Sequence, residues 1–332
     1  MRSMSRGTTS GGPAESPEGT TPPRDVRIDR LRGGLVVLMV AGNFASEVHF
    51  VPAFLKHAPD IGLTVADLVA PCFVFAIGVN FGPSFDRRSR ASTTPAYRHF
   101  VLRYLSLIGI GAILTAGAVV AGQPTEWGVL QALGVAGLIC LAFIRLGTAA
   151  RFAVGVVLLV AYQLLLDAFM LPSALASVQG GLFGSISWGA LLVLSTAVAD
   201  VWRKGLVPYG LCCAALAAVG TASLVIAPVS KIRVSLSYVL ISLAVSALAL
   251  LAVDLGSRTA PRHPGALSWW GENALALYLT HLVLLALVVL PGIPFWYTDA
   301  PAWLAIFELA VILGALTCLA WWLHRRKVRI SL

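Results

Sequence analysis

The chain has 332 residues, of which 58% are hydrophobic and only 12% charged, and its mean hydropathy is +0.84. These values exclude a soluble globular domain, and the hydrophobic residues are spread too evenly for a single membrane anchor. The net charge of +9 follows from the basic residues that set membrane topology, so it requires no nucleic-acid partner.

The predicted elements are membrane-spanning helices that follow a polar tail. Residues 1–27 are rich in Gly, Ser, Thr, Pro and Glu, which predicts a disordered cytoplasmic tail. Residues 28–324 form the predicted transmembrane domain, and residues 325–332 a basic cytoplasmic tail. A helix needs about 20 apolar residues to cross a bilayer, which predicts an all-α bundle of ten spans. The ten apolar runs begin near Gly33, Leu63, Phe100, Trp127, Phe152, Ser185, Leu206, Ser235, Trp269 and Ala302.

The distribution of basic residues predicts the orientation of this bundle. With a cytoplasmic N-terminus, the outer loops hold only Lys56, Lys231 and Arg233 of the 24 Lys and Arg residues. The positive-inside rule therefore predicts that both termini are cytoplasmic. The protein is expected to be multi-pass, and to lie in the plasma (inner) membrane if its source is bacterial.

Polar residues at membrane depth are the candidates for function, because ionisable groups there are costly. One predicted face of the first helix carries Arg32, Asn43 and Glu47 at helical spacing. In the ninth helix Asn273, Leu277 and His281 are spaced by four and could border a path through the bundle. An outer polar layer, suited to an extracytoplasmic acceptor, is predicted from His57, Asp67, Gln131, Lys231, Arg233, Ser235, Ser237 and Tyr238.

His57 is the leading candidate for the chemistry. It lies at the outer boundary between the first two predicted spans, and Asp67 follows one helical turn inside the second. An imidazole titrates near neutrality and can carry a proton or an acyl group. Simpler interpretations stand beside these roles: an interfacial histidine for His57, a helix cap for Asp67, and an interhelical hydrogen bond for Asn43.

The segments around these residues resemble the heparan-α-glucosaminide N-acetyltransferase catalytic family of transmembrane acyltransferases. The resemblance is carried by Phe54–Ala58 and Gly62–Val69 with Pro71, and it continues through most of the chain from Asp25 onward. Further matching segments are Asp29–Gly33, Asn43, Gly128–Gln131, Leu133–Gly134, Gly181–Ile186, Lys231, Ser235–Val239, Gly271, Asn273–Leu275, Tyr278 and His281.

This resemblance implies transfer of an acetyl group from cytosolic acetyl-CoA to an amino sugar or glycan across the membrane, without a metal. His57 would be the catalytic residue, as general base or as acyl carrier. Asn43 would hydrogen-bond the reacting carbonyl, and Asp67 would orient His57 or bind the acceptor. Donor binding is assigned to Arg32, Gln131, Asn273 and His281, and acceptor binding to Glu47, Lys231, Ser237 and Tyr238.

The sequence departs from the family pattern at several positions. Asp60 and Ile61 replace a common Trp-Asn, Ala132 replaces an arginine, and Gly180 replaces an acidic residue. These changes bear on donor binding and on the identity of the acceptor. Two other functions stay open: a transporter or flippase that uses the polar midplane residues as a passage, and a non-catalytic membrane subunit. Expected partners are the acyl-CoA donor, the acceptor, the bilayer and, as an open alternative, a second copy in a homodimer.

Overall fold

The computed structural model describes residues 25–90, 92–120, 127–259 and 265–330. The described residues form helices and connecting turns, with one isolated antiparallel bridge between Ile61 and Ser230. The predicted all-α class is therefore confirmed. Residues 1–24 of the predicted N-terminal tail lie outside the described residues, whereas Asp25 caps the first helix and Val26 and Arg27 already belong to it.

Twelve α-helices make up the described part of the chain. They are α1 (Val26–Ala45), α2 (Val65–Ser89), α3 (Thr93–Val120), α4 (Val129–Phe143), α5 (Thr148–Leu165), α6 (Leu171–Leu175), α7 (Gly181–Arg203), α8 (Leu206–Ala222), α9 (Leu236–Thr259), α10 (Ala266–Glu272), α11 (Ala274–Val289) and α12 (Ala302–Arg325). A short π-helical turn, Leu166–Met170, joins α5 to α6, and a 3₁₀ turn, Val178–Gly180, precedes α7.

Each of the ten predicted apolar runs coincides with a helix, but the helices are not equally suited to span a bilayer. Among the described residues seven are long and apolar enough, or eight if the bent pair α10 and α11 is one span. Helix α4 is shorter, and the first turns of α1 carry Arg27, Asp29, Arg30 and Arg32. The helices are typical of a multi-pass membrane protein, whereas the count of ten spans and the side of the termini stay predictions.

Helix α7 forms the centre of the bundle, with α2, α4 and α5 packed around it. In the most apolar 18 residues of this span 83% of the residues are buried, whereas 22% are buried in the corresponding stretches of α3 and α8. Small residues allow this close packing: a Cβ on Gly78 of α2 would lie 2.5 Å from the Cβ of Ser195. The outer helices turn large apolar side chains such as Ile113, Val207 and Phe307 outward, as expected for lipid contact.

The ninth predicted helix is broken at Asn273. Helices α10 and α11 meet there at 92°, so Asn273 does not continue the helical line of Leu277 and His281 as the spacing predicts. The Asn273 amide donates to the Val328 carbonyl (3.3 Å) and accepts from the Ile330 N–H (2.8 Å). These contacts bring Val328 and Ile330 of the predicted C-terminal tail back against the bundle.

Candidate active site

His57 and Asp67 form a direct hydrogen-bonded pair. The Nδ1 atom of His57 lies 2.8 Å from Oδ1 of Asp67; the Asp67 side chain is fully buried, whereas that of His57 is 42% exposed. A carboxylate at Nδ1 favours the tautomer that carries its proton there. The Nε2 lone pair of His57 is then available for a reacting group.

Several hydrogen bonds fix the side chain and the backbone of Asp67. Its Oδ2 accepts hydrogen bonds from the Ala58 N–H (3.2 Å), the Thr64 N–H (3.1 Å) and the Thr64 hydroxyl (2.9 Å). The Tyr238 hydroxyl donates to the Asp67 carbonyl (2.7 Å). Because Asp67 is in the first turn of α2, it completes the helix cap and holds His57 at the same time.

Lys231 brings a third ionisable group to this pair. Its Nζ lies 3.1 Å from His57 Nδ1 and 3.8 Å from Asp67 Oδ1. Burial lowers the pKa of Lys231, and the attraction of the Asp67 carboxylate partly offsets that shift. The Lys231 Nζ thus lies beside both the imidazole of His57 and the buried carboxylate of Asp67.

The His57 loop and the Lys231 loop are far apart in sequence but are bonded to each other through residues 60–62 and 229–233. We call this set of contacts the loop clasp. Arg233 forms an ion pair with Asp60, the Ser230 hydroxyl donates to Asp60 Oδ1 (2.7 Å), and the Gly62 N–H donates to the Val229 carbonyl (2.9 Å). The Arg233 guanidinium lowers the pKa of Asp60, and Asp60 raises that of Arg233. Gly62 has φ +135°, which L side chains rarely adopt. The departure at Asp60 thus has a local partner that fixes the His57 loop.

A cavity of about 380 Å³ extends from the His57 loop to Arg32 near the start of α1. His57, Lys231, Gln179 and Asn43 line one end, which we call the histidine end. Between the ends the walls are mostly apolar and come from α1, α2, α3, α4 and α11. The other end, which we call the arginine end, is lined by Arg32, Arg103, Glu272, Arg329 and Ile330.

Asn43 lines the cavity, and His281 of α11 contacts it without lining the cavity itself. The Asn43 Nδ2 lies 2.9 Å from His281 Nε2, and His281 Nδ1 contacts the Tyr278 carbonyl. A carbonyl can only accept, so Nδ1 of His281 carries the proton and Nε2 accepts from Asn43. The Asn43 side chain is therefore held at the cavity by α11.

The other residues that the sequence analysis assigns to binding lie outside the cavity. Gln131 donates to the Thr115 hydroxyl (2.9 Å), and Asn273 binds the C-terminal segment. Helix α1 ends at Ala45, so Glu47 is not on its face and is exposed. The Ser237 hydroxyl contacts the carbonyls of Ser223 and Ala227, and Tyr238 supports Asp67 from behind.

The sequence does not single out four of the polar and charged residues that line the cavity: Gln179, Arg103, Glu272 and Arg329. Arg103 and Arg329 were counted only as topology signals, and Glu272 directly precedes the unpredicted break at Asn273. Gln179 is in a turn whose conformation no spacing pattern indicates. Among the described residues no cluster of three or more His, Cys, Asp or Glu side chains could hold a metal ion.

Comparison with known proteins gives consistent matches. Residues 24–226 match the family model described as heparan-alpha-glucosaminide N-acetyltransferase, catalytic. The human heparan-alpha-glucosaminide N-acetyltransferase is 34% identical over 121 residues, which cover 34% of this chain and 18% of the human protein. The mouse protein of the same name is 36% identical over 116 residues, or 32% of this chain and 17% of its own. The chain thus spans less than a fifth of the length of these relatives.

Proposed function

The chain belongs to the heparan-α-glucosaminide N-acetyltransferase catalytic family, and on that premise we propose that it transfers an acetyl group from acetyl-CoA to an amino sugar or glycan on the opposite side of the membrane. The observation that carries this proposal is the His57–Asp67 pair at one end of a cavity whose other end is lined by three arginines. Neither end alone would indicate acyl transfer.

The arginine end suits the CoA moiety of the donor. Guanidinium groups bind phosphates with charge-assisted, often bidentate hydrogen bonds. Arg103 is a candidate because its Nε has no hydrogen-bond partner among the described residues. Arg32 and Arg329 add positive charge at the same end, and the apolar middle would accept the thioester arm. The donor would enter from the side that positive-inside counting makes cytoplasmic.

The histidine end suits the transfer step. His57 Nε2 would take the proton from the acceptor amine or hydroxyl as that group attacks the thioester carbonyl. The carbon–sulfur bond then breaks, CoA leaves as a thiolate, and the proton passes from His57 to the thiolate or to water. Asn43 would donate to the carbonyl oxygen as negative charge develops there. Asp67 would hold the imidazolium that forms in between.

A second route uses the same groups in two stages. His57 Nε2 would attack the thioester itself and expel the CoA thiolate, leaving an acetyl-imidazole. The acceptor amine would then attack that acetyl group, the bond between the acetyl carbon and His57 Nε2 would break, and the amine proton would pass to the released imidazole, the CoA thiolate or water. Both routes need the Nδ1 proton that Asp67 holds, so the ground-state geometry supports them equally.

The test measures CoA release and label transfer from radiolabelled acetyl-CoA to glucosamine by the purified protein. His57→Ala is expected to abolish both, whereas His49→Ala is the matched control, because His49 is an exposed histidine bonded to Asp299 outside the cavity. Label that stays on the protein when glucosamine is omitted indicates the two-stage route. Equal activity in the two variants, or solute accumulation without CoA release, would overturn the proposal.

A further inference from the structure

Gln179 occupies an unusual position at the histidine end of the cavity. It lines the same space as His57, Asn43 and Lys231, yet only 6% of its surface is exposed. Its Oε1 is buried without a hydrogen-bond partner within the described part of the chain. A buried amide oxygen without a partner is costly, so its presence beside a cavity points to a ligand.

The backbone of Gln179 is also in a conformation that glutamine does not favour. Its φ of +61° and ψ of +26° are left-handed, and Gly180 and Gly181 follow with φ of +73° and +63°. Glycine adopts this region without cost, and asparagine adopts it more readily than glutamine. The fold alone would therefore be served better by a different residue at this position.

Neighbouring groups hold this turn in place. The Trp188 Nε1–H donates to the Gln179 carbonyl (3.3 Å), and a Cβ on Gly184 would lie 2.5 Å from that oxygen. A Cβ on Gly180 would lie 2.9 Å from a methyl carbon of Val234. The turn is thus fixed between α7 and the end of the Lys231 loop. Left-handed non-glycine residues that are held this firmly are concentrated at functional sites.

From these observations we propose that Gln179 is a specificity-determining residue that hydrogen-bonds an amino-sugar acceptor beside His57. Its Oε1 accepts from an N–H or O–H group of the sugar, and its Nε2–H₂ donates to a ring or hydroxyl oxygen. The side chain is neutral, so it recognises the sugar without adding charge next to Asp67 and Lys231. The proposal rests on the proposed function for the choice of an amino sugar.

The test compares wild type with Gln179→Gly and Gln179→Asn. Both replacements suit the left-handed backbone; the first removes the amide and the second withdraws it by one methylene. We expect thermal midpoints that are unchanged or raised, a five- to tenfold rise in KM for glucosamine, and an unchanged KM for acetyl-CoA. A glutamine with a purely structural role would instead lower the thermal midpoint when it is replaced and leave both KM values alone.

Binding is measured separately from turnover, by the shift that glucosamine causes in the thermal midpoint. The shift should be present in wild type and smaller in both variants at the same glucosamine concentration. If it behaves so while wild type releases no CoA, the proposed function fails and the role of Gln179 stands. A rise in KM for acetyl-CoA alone would place the donor at the amide, and that result, or a wild type that glucosamine does not stabilise, would overturn the proposal.

Discussion

Asp67 has three simultaneous tasks, and each makes a different demand on its carboxylate. Oδ2 accepts from Thr64 in the helix cap and from the Ala58 N–H in the His57 loop, whereas Oδ1 faces His57 and Lys231. A neutral amide can meet the two demands on Oδ2 only in part, and at Oδ1 it has the wrong charge. The side chain is completely buried, so water cannot replace a lost contact.

We therefore predict that Asp67→Asn lowers kcat about 100-fold or more, in line with the contribution of general acid–base catalysis. The amide would no longer fix the Nδ1 proton of His57, so the Nε2 lone pair would be lost in part of the molecules. Steady-state kinetics with acetyl-CoA and glucosamine measure the effect. Thr64→Val is the control: it removes one hydrogen bond to Oδ2 and leaves Oδ1 intact. A larger loss for Thr64→Val than for Asp67→Asn would contradict this account.

Asn43 and His281 act as one unit through their 2.9 Å contact. We predict that His281→Leu lowers kcat by a smaller factor than Asn43→Leu, because it frees the amide without removing it. The double variant should be no slower than Asn43→Leu alone. A double-mutant cycle on kcat measures this coupling. Strictly additive losses would mean that His281 does not act through Asn43.

The loop clasp positions His57 and Lys231. Its ion pair between Asp60 and Arg233 can be tested by measuring stability at different pH values. Asp60 has a lowered pKa because of Arg233. A carboxyl group whose pKa is lower in the folded state than in the unfolded state stabilises the fold at pH values above its unfolded-state pKa. That stabilisation is lost as the pH falls through the folded-state pKa. The side chain of Asp60 is 30% exposed, so the pair is worth about 1 kcal/mol or less.

We predict that wild type loses the stabilisation from the Asp60–Arg233 pair as the pH falls below about 4, where carboxyl groups become protonated. Asp60→Asn should be slightly less stable than wild type at neutral pH, and the two should converge in acid. Thermal midpoints across that pH range measure the difference. Asp60→Asn should also lower kcat more than it changes KM for acetyl-CoA, because the His57 loop is far from the arginine end. A constant difference in midpoint at every pH would refute the clasp as an ion pair.

The close crossing of α1 and α10 at Gly33 can also be tested by mutation. A Cβ on Gly33 would lie 1.8 Å from the Leu267 carbonyl oxygen, whereas a Cβ on Gly34 would meet nothing within 4 Å. Gly33→Ala should destabilise the protein by about 1–3 kcal/mol, as overpacking does. It should also raise KM for acetyl-CoA, because α10 carries Glu272 at the arginine end. Gly34→Ala is the matched control, and equal midpoints for the two variants would contradict the close crossing.

Across the whole molecule, the sequence predicts helices better than it predicts their interruptions. The apolar runs coincide with helices because a bilayer demands length and hydrophobicity, and both can be read locally. At the break, Asn273 bonds to Val328 and Ile330, more than fifty residues away, and no local pattern indicates such contacts. Glu47 fails to continue a helical face for a similar reason: spacing does not show where α1 ends.

In the candidate site, too, contacts between residues close in sequence can be predicted, whereas contacts that depend on distant residues cannot. His57 and Asp67 are close in sequence at a helix start, so their pairing could be anticipated. Lys231 was placed in the outer layer, but its 3.1 Å approach to His57 depends on the loop clasp. Gln179 could not be found, because its left-handed backbone and its place in the cavity both arise from packing against α7.

The proposed function requires that an acetyl group pass along the cavity from one side of the membrane to the other. This transfer can be measured in proteoliposomes with glucosamine trapped inside and radiolabelled acetyl-CoA added outside. We expect labelled N-acetylglucosamine in the lumen, made only by molecules whose arginine end faces outward, and none with His57→Ala. Product that forms only when both substrates are on the same side, or lumenal product that persists in His57→Ala, would contradict it.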